Sequence, residues 1–289
     1  MGCGRWNERD SVELQGYWST LEESSPIMIV WIIMGSVLGA ACMLGLAWFG
    51  IPLALRMLQC RALESRCRTD RLIALTFDDG PSPDVTPDVL DLLDEMDVKA
   101  TFFMVGNNVA KHPEIAAEVR KRGHEVAAHS MHHLDAWRVS PRRGMRDVSL
   151  GVDIMVERAL HPNLFRPPRG RATIGSFYQS LKSGCRPFWW THDSGDSGYR
   201  SGRSKLSVGR FLKNGTQTSL TKEQIDDKLQ PASREGWVRE VAEQGGVVLL
   251  HDAPRDHPEL ISLTLDATRD LVRESREHGT RFVCASELR

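Results

Sequence analysis

Leu72-Ile73-Ala74-Leu75-Thr76-Phe77-Asp78-Asp79-Gly80-Pro81 is the stretch around which this chain is organised. Its apolar, β-branched part predicts a buried strand, which Gly-Pro would end. Because side chains alternate along a strand, Asp78 and Asp79 are expected to leave its end in different directions. One carboxylate could then bind a cation while the other accepts a proton. Taken alone, the stretch is better explained as a simple turn after a strand.

A second polar cluster, Ala127-Ala128-His129-Ser130-Met131-His132-His133, follows about fifty residues later. His129 and His133 are spaced i, i+4, which predicts two imidazoles on one face of a helical turn. One carboxylate and two histidines form a ligand set that leaves coordination positions open for water and substrate. Together with the aspartate pair, this spacing favours a metal site over a solvated surface.

The ordered motifs of this chain resemble those of the polysaccharide deacetylase family, the NodB homology domain of carbohydrate esterase family 4. The resemblance covers roughly residues 70–289, and its first two motifs are highly specific. The five motifs are Thr76–Gly80, His129–His133, Arg166–Gly170, Trp190–Asp196 and Leu249–Asp252.

The resemblance implies a fold and a metal. The fold would be a distorted (β/α)7 barrel with the motifs at strand ends, where barrel enzymes place their chemistry. Asp79, His129 and His133 would hold one divalent ion. Zinc suits imidazole and carboxylate ligands, although cobalt or nickel would bind the same set.

The resemblance also implies residue roles in removing an N-acetyl group. Asp78 would be the general base and His251 the general acid. Arg166 would orient Asp78 through a charge-assisted hydrogen bond. Asp196, or as a weaker alternative Asp193, would raise the pKa of His251.

Two positions depart from the family pattern. Arg169 stands where family members usually carry Tyr or Phe, at a position whose backbone N–H contributes to the oxyanion hole. That donor survives the change, but the charge of the pocket wall differs. Ser197 replaces the tryptophan that usually follows the second aspartate of the fourth motif.

Four aromatic residues are candidates for stacking on sugar rings: Trp137, Trp189, Trp190 and Tyr199. Core packing is the alternative for Trp189 and Trp190.

Composition divides the 289 residues into segments. Residues 1–26 are polar, and residues 27–55 carry no charged side chain. An uncharged run longer than about 20 residues predicts a transmembrane helix, and its length and acidic start argue against a cleaved signal peptide. Residues 56–70 are predicted to be a basic linker and residues 71–289 the catalytic domain. The net charge of −1 means that the protein has no overall positive potential that would favour nucleic acid as a partner.

The membrane topology is ambiguous from the sequence. Five arginines lie between residues 56 and 71, which favours a cytoplasmic catalytic domain by the positive-inside rule. The family resemblance favours the opposite side, because most members act on cell-wall or secreted glycans. Gly35 and Gly39 form a G-x-x-x-G pair that would allow a homodimer, and glycines merely tolerated in a membrane helix are the alternative.

Strands and helices alternate after residue 71, which predicts a parallel sheet of about seven strands. Thr86 is predicted to cap the first helix, and 186–191 to be one strand. Residues 198–237 are predicted to be an insertion, with Thr221 and Gln224 in a capping box. The favoured function is a membrane-anchored deacetylase of a polysaccharide or lipid-linked amino sugar. The alternatives are a catalytically inactive glycan-binding pseudoenzyme and a membrane assembly protein.

Overall fold

The computed structural model describes residues 26–196, 231–253 and 260–288. Contacts divide the chain into two compact units, Met1–Trp48 and Phe49–Arg289. The predicted capping box at Thr221, the proposed stacking residue Tyr199 and the substituted position Ser197 lie outside the described residues. Most of the predicted insertion also lies outside them, and its described end, from residue 231, is helical.

One parallel sheet forms the centre of the second unit. In the described residues its strands run in the order β5-β4-β3-β2-β1-β7-β6, and β8 pairs with the first residues of β1. The strands are β1 (Leu72–Asp78), β2 (Thr101–Met104), β3 (Glu125–Ala128), β4 (Leu164–Phe165), β5 (Arg186–Pro187), β6 (His192–Asp193), β7 (Gly246–His251) and β8 (Arg281–Phe282). The observed fold is therefore a curled, open parallel α/β sheet of eight strands, with β5 and β6 at its two ends.

Helices connect most of these strands, as expected for parallel neighbours. They are α1 (Pro26–Asp70), α2 (Thr86–Glu95), α3 (Gly106–Lys111), α4 (Pro113–Lys121), α5 (Pro141–Glu157), α6 (Ile174–Lys182), α7 (Pro231–Gln244) and α8 (Leu260–Glu277). Two short 3₁₀ turns, Pro168–Gly170 and Ala285–Glu287, follow β4 and β8.

The central strand β1 is buried along its whole length. It pairs with β2 on one side and β7 on the other, which places Asp78 beside both Phe103 and His251. Phe77 stacks on Phe102 with 5.1 Å between ring centroids. Full burial of such a ring stabilises the fold by roughly 1.5–3 kcal/mol. The strand end that carries the two aspartates is thus fixed from both sides.

Helix α1 continues through the segment predicted to be a basic linker. It runs unbroken from Pro26 to Asp70, and Cys60, Leu63 and Cys67 are buried in the core of the second unit. These positions are spaced at three and four residues, so they share one helix face. Residues 56–70, predicted to be a basic linker, are helical in the structure, and the apolar residues among the arginines form a buried face.

The first part of α1 fits the predicted membrane span by length and composition. Among the described residues, α1 alone is long and apolar enough to cross a bilayer, with a mean hydropathy of 2.2 in its most apolar window. Side chains in this part are exposed, including Trp31 and Leu44. A signal sequence near the N-terminus has the same properties. The span therefore stays a prediction.

Candidate active site

Asp78 and Asp79 diverge at the end of β1, as the alternation of side chains predicts. The backbone of Asp79 enters the left-handed region with a φ of 77°, and its N–H donates to the Phe103 carbonyl oxygen at 3.2 Å. An aspartate tolerates this conformation better than most residues. The two adjacent carboxylates consequently face different partners.

The Asp79 carboxylate lies between two imidazoles. Its Oδ1 is 3.4 Å from His129 Nε2 and 3.2 Å from His133 Nε2. All three potential ligand atoms lie within 4.8 Å of one another. This is the ligand set predicted from the sequence, gathered at the ends of β1 and β3.

The two histidines do not lie on a helical turn, so that part of the prediction was wrong. They belong to a loop after β3 in which Ser130 and His133 both have positive φ angles, 63° and 55°. The Ser130 hydroxyl accepts a hydrogen bond from the His133 N–H at 3.1 Å. The left-handed residues bring the second imidazole back toward the first.

Both imidazoles are neutral in this environment. Burial lowers the pKa of His129 and lowers that of His133 to about 3. His129 Nδ1 lies 2.8 Å from the Arg166 carbonyl oxygen, so Nδ1 carries the proton and Nε2 keeps its lone pair toward Asp79. A carboxylate and two neutral imidazoles with converging lone pairs fit a divalent metal such as zinc.

Asp78 is held by Arg166 rather than by the histidines. Arg166 Nη1 donates to Asp78 Oδ1 at 2.6 Å and to the Thr76 hydroxyl oxygen at 2.8 Å. The guanidinium is fully buried, and its carbon lies 3.9 Å from the Phe103 ring centroid. Since both groups are removed from water, removing either partner would leave a buried charge uncompensated. The free Oδ2 side of Asp78 faces His129 Nε2 at 3.7 Å.

His251 and Asp196 form a second buried pair. His251 Nδ1 is 2.7 Å from Asp196 Oδ1, while Asp196 Oδ2 accepts from the His251 N–H and the Thr264 hydroxyl at 2.8 Å each. Burial opposes protonation of His251, but the Asp196 charge outweighs it and raises the His251 pKa to about 9. Of the two aspartates considered from the sequence, Asp196 is the one hydrogen-bonded to His251, whereas Asp193 accepts from the Gly195 N–H.

Arg169 lies in the centre of the 3₁₀ turn that follows β4. Its φ is 58°, and its side chain is exposed. The turn is closed by the Gly170 N–H, which donates to the Pro167 carbonyl oxygen at 2.8 Å. The Arg169 charge is close enough to contribute to the lowered pKa of His133. The arginine that departs from the family pattern therefore lies at the mouth of the site.

Sequence reasoning missed a buried carboxylate next to His251. Asp252 Oδ1 accepts from the Gly80 N–H at 3.0 Å, and Asp252 Oδ2 accepts from the Thr86 hydroxyl at 2.8 Å. Burial raises the pKa of Asp252 to about 7. A Cβ on Gly80 would lie 2.1 Å from Asp252 Oδ2, which explains the glycine after Asp79. The signal was present, because Asp252 closes the fifth motif.

Two other supporting residues, Asn108 and Asp147, were also not predicted, and a third, Thr86, has a different role from the predicted one. Asn108 donates to the Asp79 carbonyl oxygen at 2.8 Å. Asp147 accepts from His132 Nδ1 at 2.7 Å and from the His132 N–H at 3.2 Å, which fixes the loop between the two histidines. Thr86 does not cap α2 with its hydroxyl as predicted, because Asp252 engages it and Val85 is the N-cap residue. None of these contacts follows a regular spacing.

The proposed sugar-stacking residues differ in accessibility. Trp189 is 1% exposed and donates from Nε1 to the Gly170 carbonyl oxygen, so it belongs to the core. Trp137 and Trp190 are half-buried. His124 is buried, and its Nδ1 accepts a hydrogen bond from the Ala100 N–H at 3.2 Å.

The sequence is similar to those of known deacetylases. Residues 65–186 match the family model for polysaccharide deacetylase. The chain is 32% identical over 219 residues to a peptidoglycan-N-acetylglucosamine deacetylase of Bacillus cereus, covering 76% of this chain and 88% of that protein. It is 39% identical over 219 residues to the peptidoglycan-N-acetylmuramic acid deacetylase PdaC of Bacillus subtilis, covering 75% of this chain but 38% of that protein.

A solved structure has the same fold. The structure of peptidoglycan deacetylase PdaC from Bacillus subtilis superimposes with a TM-score of 0.54 at 26% identity. The match covers 76% of this chain and 91% of that one. The parallel sheet and its connecting helices are therefore shared with a known deacetylase domain.

Proposed function

The chain belongs to the polysaccharide deacetylase family of hydrolases, which act on the amide bonds of N-acetyl sugars, and we propose that it is a membrane-anchored, metal-dependent deacetylase of an amino-sugar glycan. One observation carries the metal-dependent mechanism. The three-residue ligand set, the Asp78–Arg166 pair and the His251–Asp196 pair converge at neighbouring strand ends.

The metal belongs to Asp79, His129 and His133. When bound there, a divalent ion supplies Lewis acidity toward the acyl carbonyl and acidifies water. Side chains and one backbone N–H of the protein carry out the remaining chemistry.

Asp78 accepts the proton that the attacking water loses as its oxygen bonds to the acyl carbon. Arg166 holds the Asp78 carboxylate in place through a charge-assisted hydrogen bond. The Arg169 N–H donates to the oxygen that becomes negative in the tetrahedral intermediate.

His251 delivers the second proton. Its raised pKa keeps the imidazolium populated at neutral pH, so it can protonate the amine nitrogen as the carbon–nitrogen bond breaks. Acetate and a free amino sugar result. A glycan-binding pseudoenzyme would not require this set of competent acid, base and ligand side chains.

Two measurements, metal content and acetate release, together test the proposed function. Full-length protein purified in detergent should contain about one equivalent of divalent metal and release acetate from a panel of N-acetylglucosamine and N-acetylmuramic acid glycans. His133→Ala should lose both, because two protein ligands hold such an ion poorly. His161→Ala, an exposed histidine, is the control. Metal content unchanged in His133→Ala would reject the ligand assignment, and an inactive, metal-loaded wild type would support the pseudoenzyme.

The side of the membrane on which the catalytic domain lies determines whether a polymerised glycan or a lipid-linked amino sugar is within its reach. If the arginines between residues 56 and 71 hold the domain in the cytoplasm, a polymerised wall glycan is out of reach and a lipid-linked amino sugar becomes the substrate. An external domain would restore the wall glycan.

A membrane-impermeant maleimide on intact cells should distinguish these cases. We propose Ser204→Cys, and Lys182→Cys at the exposed end of α6, in a chain without Cys3, Cys42 and Cys284. Cys60, Cys67 and Cys185 can stay because they are buried. The positive-inside rule predicts labelling only after lysis. Labelling of intact cells would contradict a cytoplasmic lipid-linked substrate.

A further inference from the structure

The turn that carries Arg169 is held by a residue outside the five motifs. Arg56 of α1 donates from Nη1 to the Gly170 carbonyl oxygen at 3.0 Å. Trp189 Nε1 donates to the same oxygen at 3.2 Å. Since a carbonyl oxygen has two lone pairs, both bonds can form at once. The C-terminal end of the turn is therefore tied to a helix that precedes the sheet.

The junction is tightly packed. Gly170 has a φ of 68°, and a Cβ there would lie 2.4 Å from Arg56 Nη1 and 2.7 Å from the Trp190 ring. The Arg56 guanidinium carbon lies 4.7 Å from the Trp190 ring centroid, within range of a cation–π interaction. Hence a shift of the Arg56 side chain cannot leave the turn unaffected.

The neighbouring turn of α1 fixes the position of Arg56. Gln59 donates from Nε2 to the Pro187 carbonyl oxygen at 3.0 Å, and its Oε1 accepts from the Trp189 N–H at 3.1 Å. Cys60 is buried with Trp189. With the α1 backbone anchored in this way, only the side-chain freedom of Arg56 remains to be lost when it reaches Gly170.

The same contacts reach both sides of the proposed site. Arg169, whose N–H is the proposed oxyanion donor, is the residue before Gly170. Arg166, which holds Asp78, has its guanidinium carbon 5.6 Å from the Trp190 ring centroid. Trp190 thus contacts the Arg56 guanidinium and lies beside the Arg166 guanidinium.

We propose that Arg56 is a positioning residue for deacetylation. It orients the Pro168–Gly170 turn so that the Arg169 N–H faces the developing oxyanion, which makes the C-terminal half of α1 part of the catalytic unit. The inference rests on the proposed function, and it assigns Arg56 no contact with substrate.

Full-length Arg56→Met in detergent tests the proposal by two measurements. Hydrogen exchange at the Gly170 and Arg171 amides, which close the turn, should become at least about tenfold faster, because the turn loses a tether. The kcat per bound metal should fall by about 10- to 100-fold with little change in KM, because a displaced donor weakens only the transition state. Arg56→Lys keeps the charge and a donor and should recover part of kcat. Arg61→Met, on an exposed position of α1, should match the wild type.

The outcomes separate this proposal from the proposed function. Unchanged exchange in Arg56→Met would overturn the positioning role, and so would faster exchange with unchanged kcat. A lower melting temperature in both Arg56 variants, with normal kcat per bound metal, would show that Arg56 only stabilises the fold. If the wild type releases no acetate, the proposed function fails, while the exchange measurement still reports whether Arg56 holds the turn.

Discussion

Replacing Asp78 with asparagine should leave the metal bound and reduce kcat by about 10²–10⁴-fold, the usual cost of losing a general base. Asparagine has nearly the same shape and keeps an oxygen for the 2.6 Å hydrogen bond from Arg166 Nη1. It cannot accept a proton from water at neutral pH. Because the ligand set is Asp79, His129 and His133, metal content should remain near one equivalent.

Two measurements on the same preparation check this expectation. Metal is counted by elemental analysis, and single-turnover acetate release separates chemistry from product release. Asp88→Asn, an exposed carboxylate on α2, is the matched control. Near-normal turnover in Asp78→Asn would reject Asp78 as the base, and loss of metal would place Asp78 among the ligands.

The central strand could be predicted from the sequence because its constraints are local. A buried strand that ends in Asp78-Asp79-Gly80 leaves few choices for the direction of each side chain. The structure realises this divergence, with Asp79 in a left-handed conformation. The need for glycine at position 80 could not be predicted. It arises from close packing against Asp252, which is 172 residues away along the chain.

The histidine pair shows how a correct residue set can rest on a wrong conformation. The i, i+4 spacing suggested a helix, but the loop bends through Ser130 and His133 and is held by Asp147 from α5. Two residues in the left-handed region bring the imidazoles together here, as a helical turn would have done. Residue spacing alone does not distinguish the two.

Helix α1 shows the limit of composition. Arginines between residues 56 and 71 resemble a solvated linker, yet the apolar residues among them form a buried face.

Gln59 also explains why residues 186–191 do not form one strand. Its amide bonds the Pro187 carbonyl and the Trp189 N–H, so β5 ends at Pro187, and β6 begins only at His192, beyond the predicted strand. Such tertiary competition for backbone groups has no signal in local sequence.

The second large effect concerns His251. His251→Ala should lower kcat by about 10²–10⁴-fold, because the amine would leave without a proton. Asp196→Asn should act more selectively, through the pKa of His251. Burial disfavours the imidazolium, and Asp196 offsets that burial. Without its charge, the pKa of His251 should fall by at least about one unit.

The direction of the pH effect follows from the raised pKa. In the wild type the imidazolium is present at neutral pH and is lost as the pH rises through about 9. In Asp196→Asn it is lost at lower pH, so the alkaline limb of kcat/KM moves toward neutrality. The other charges that raise the His251 pKa, Asp78 and Asp193, remain and limit the shift.

Profiles of kcat/KM between pH 6 and 10 measure this shift. Asp193→Asn is the matched control, because Asp193 also raises the His251 pKa but contributes less than Asp196. It should move the alkaline limb in the same direction by a smaller amount. If the alkaline limb of kcat/KM stays in place in Asp196→Asn although His251→Ala is inactive, the pKa of a group other than His251 determines that limb. Since Asp196 also bonds the His251 N–H and Thr264, a uniform loss of activity at every pH would instead assign it to holding β7 and α8.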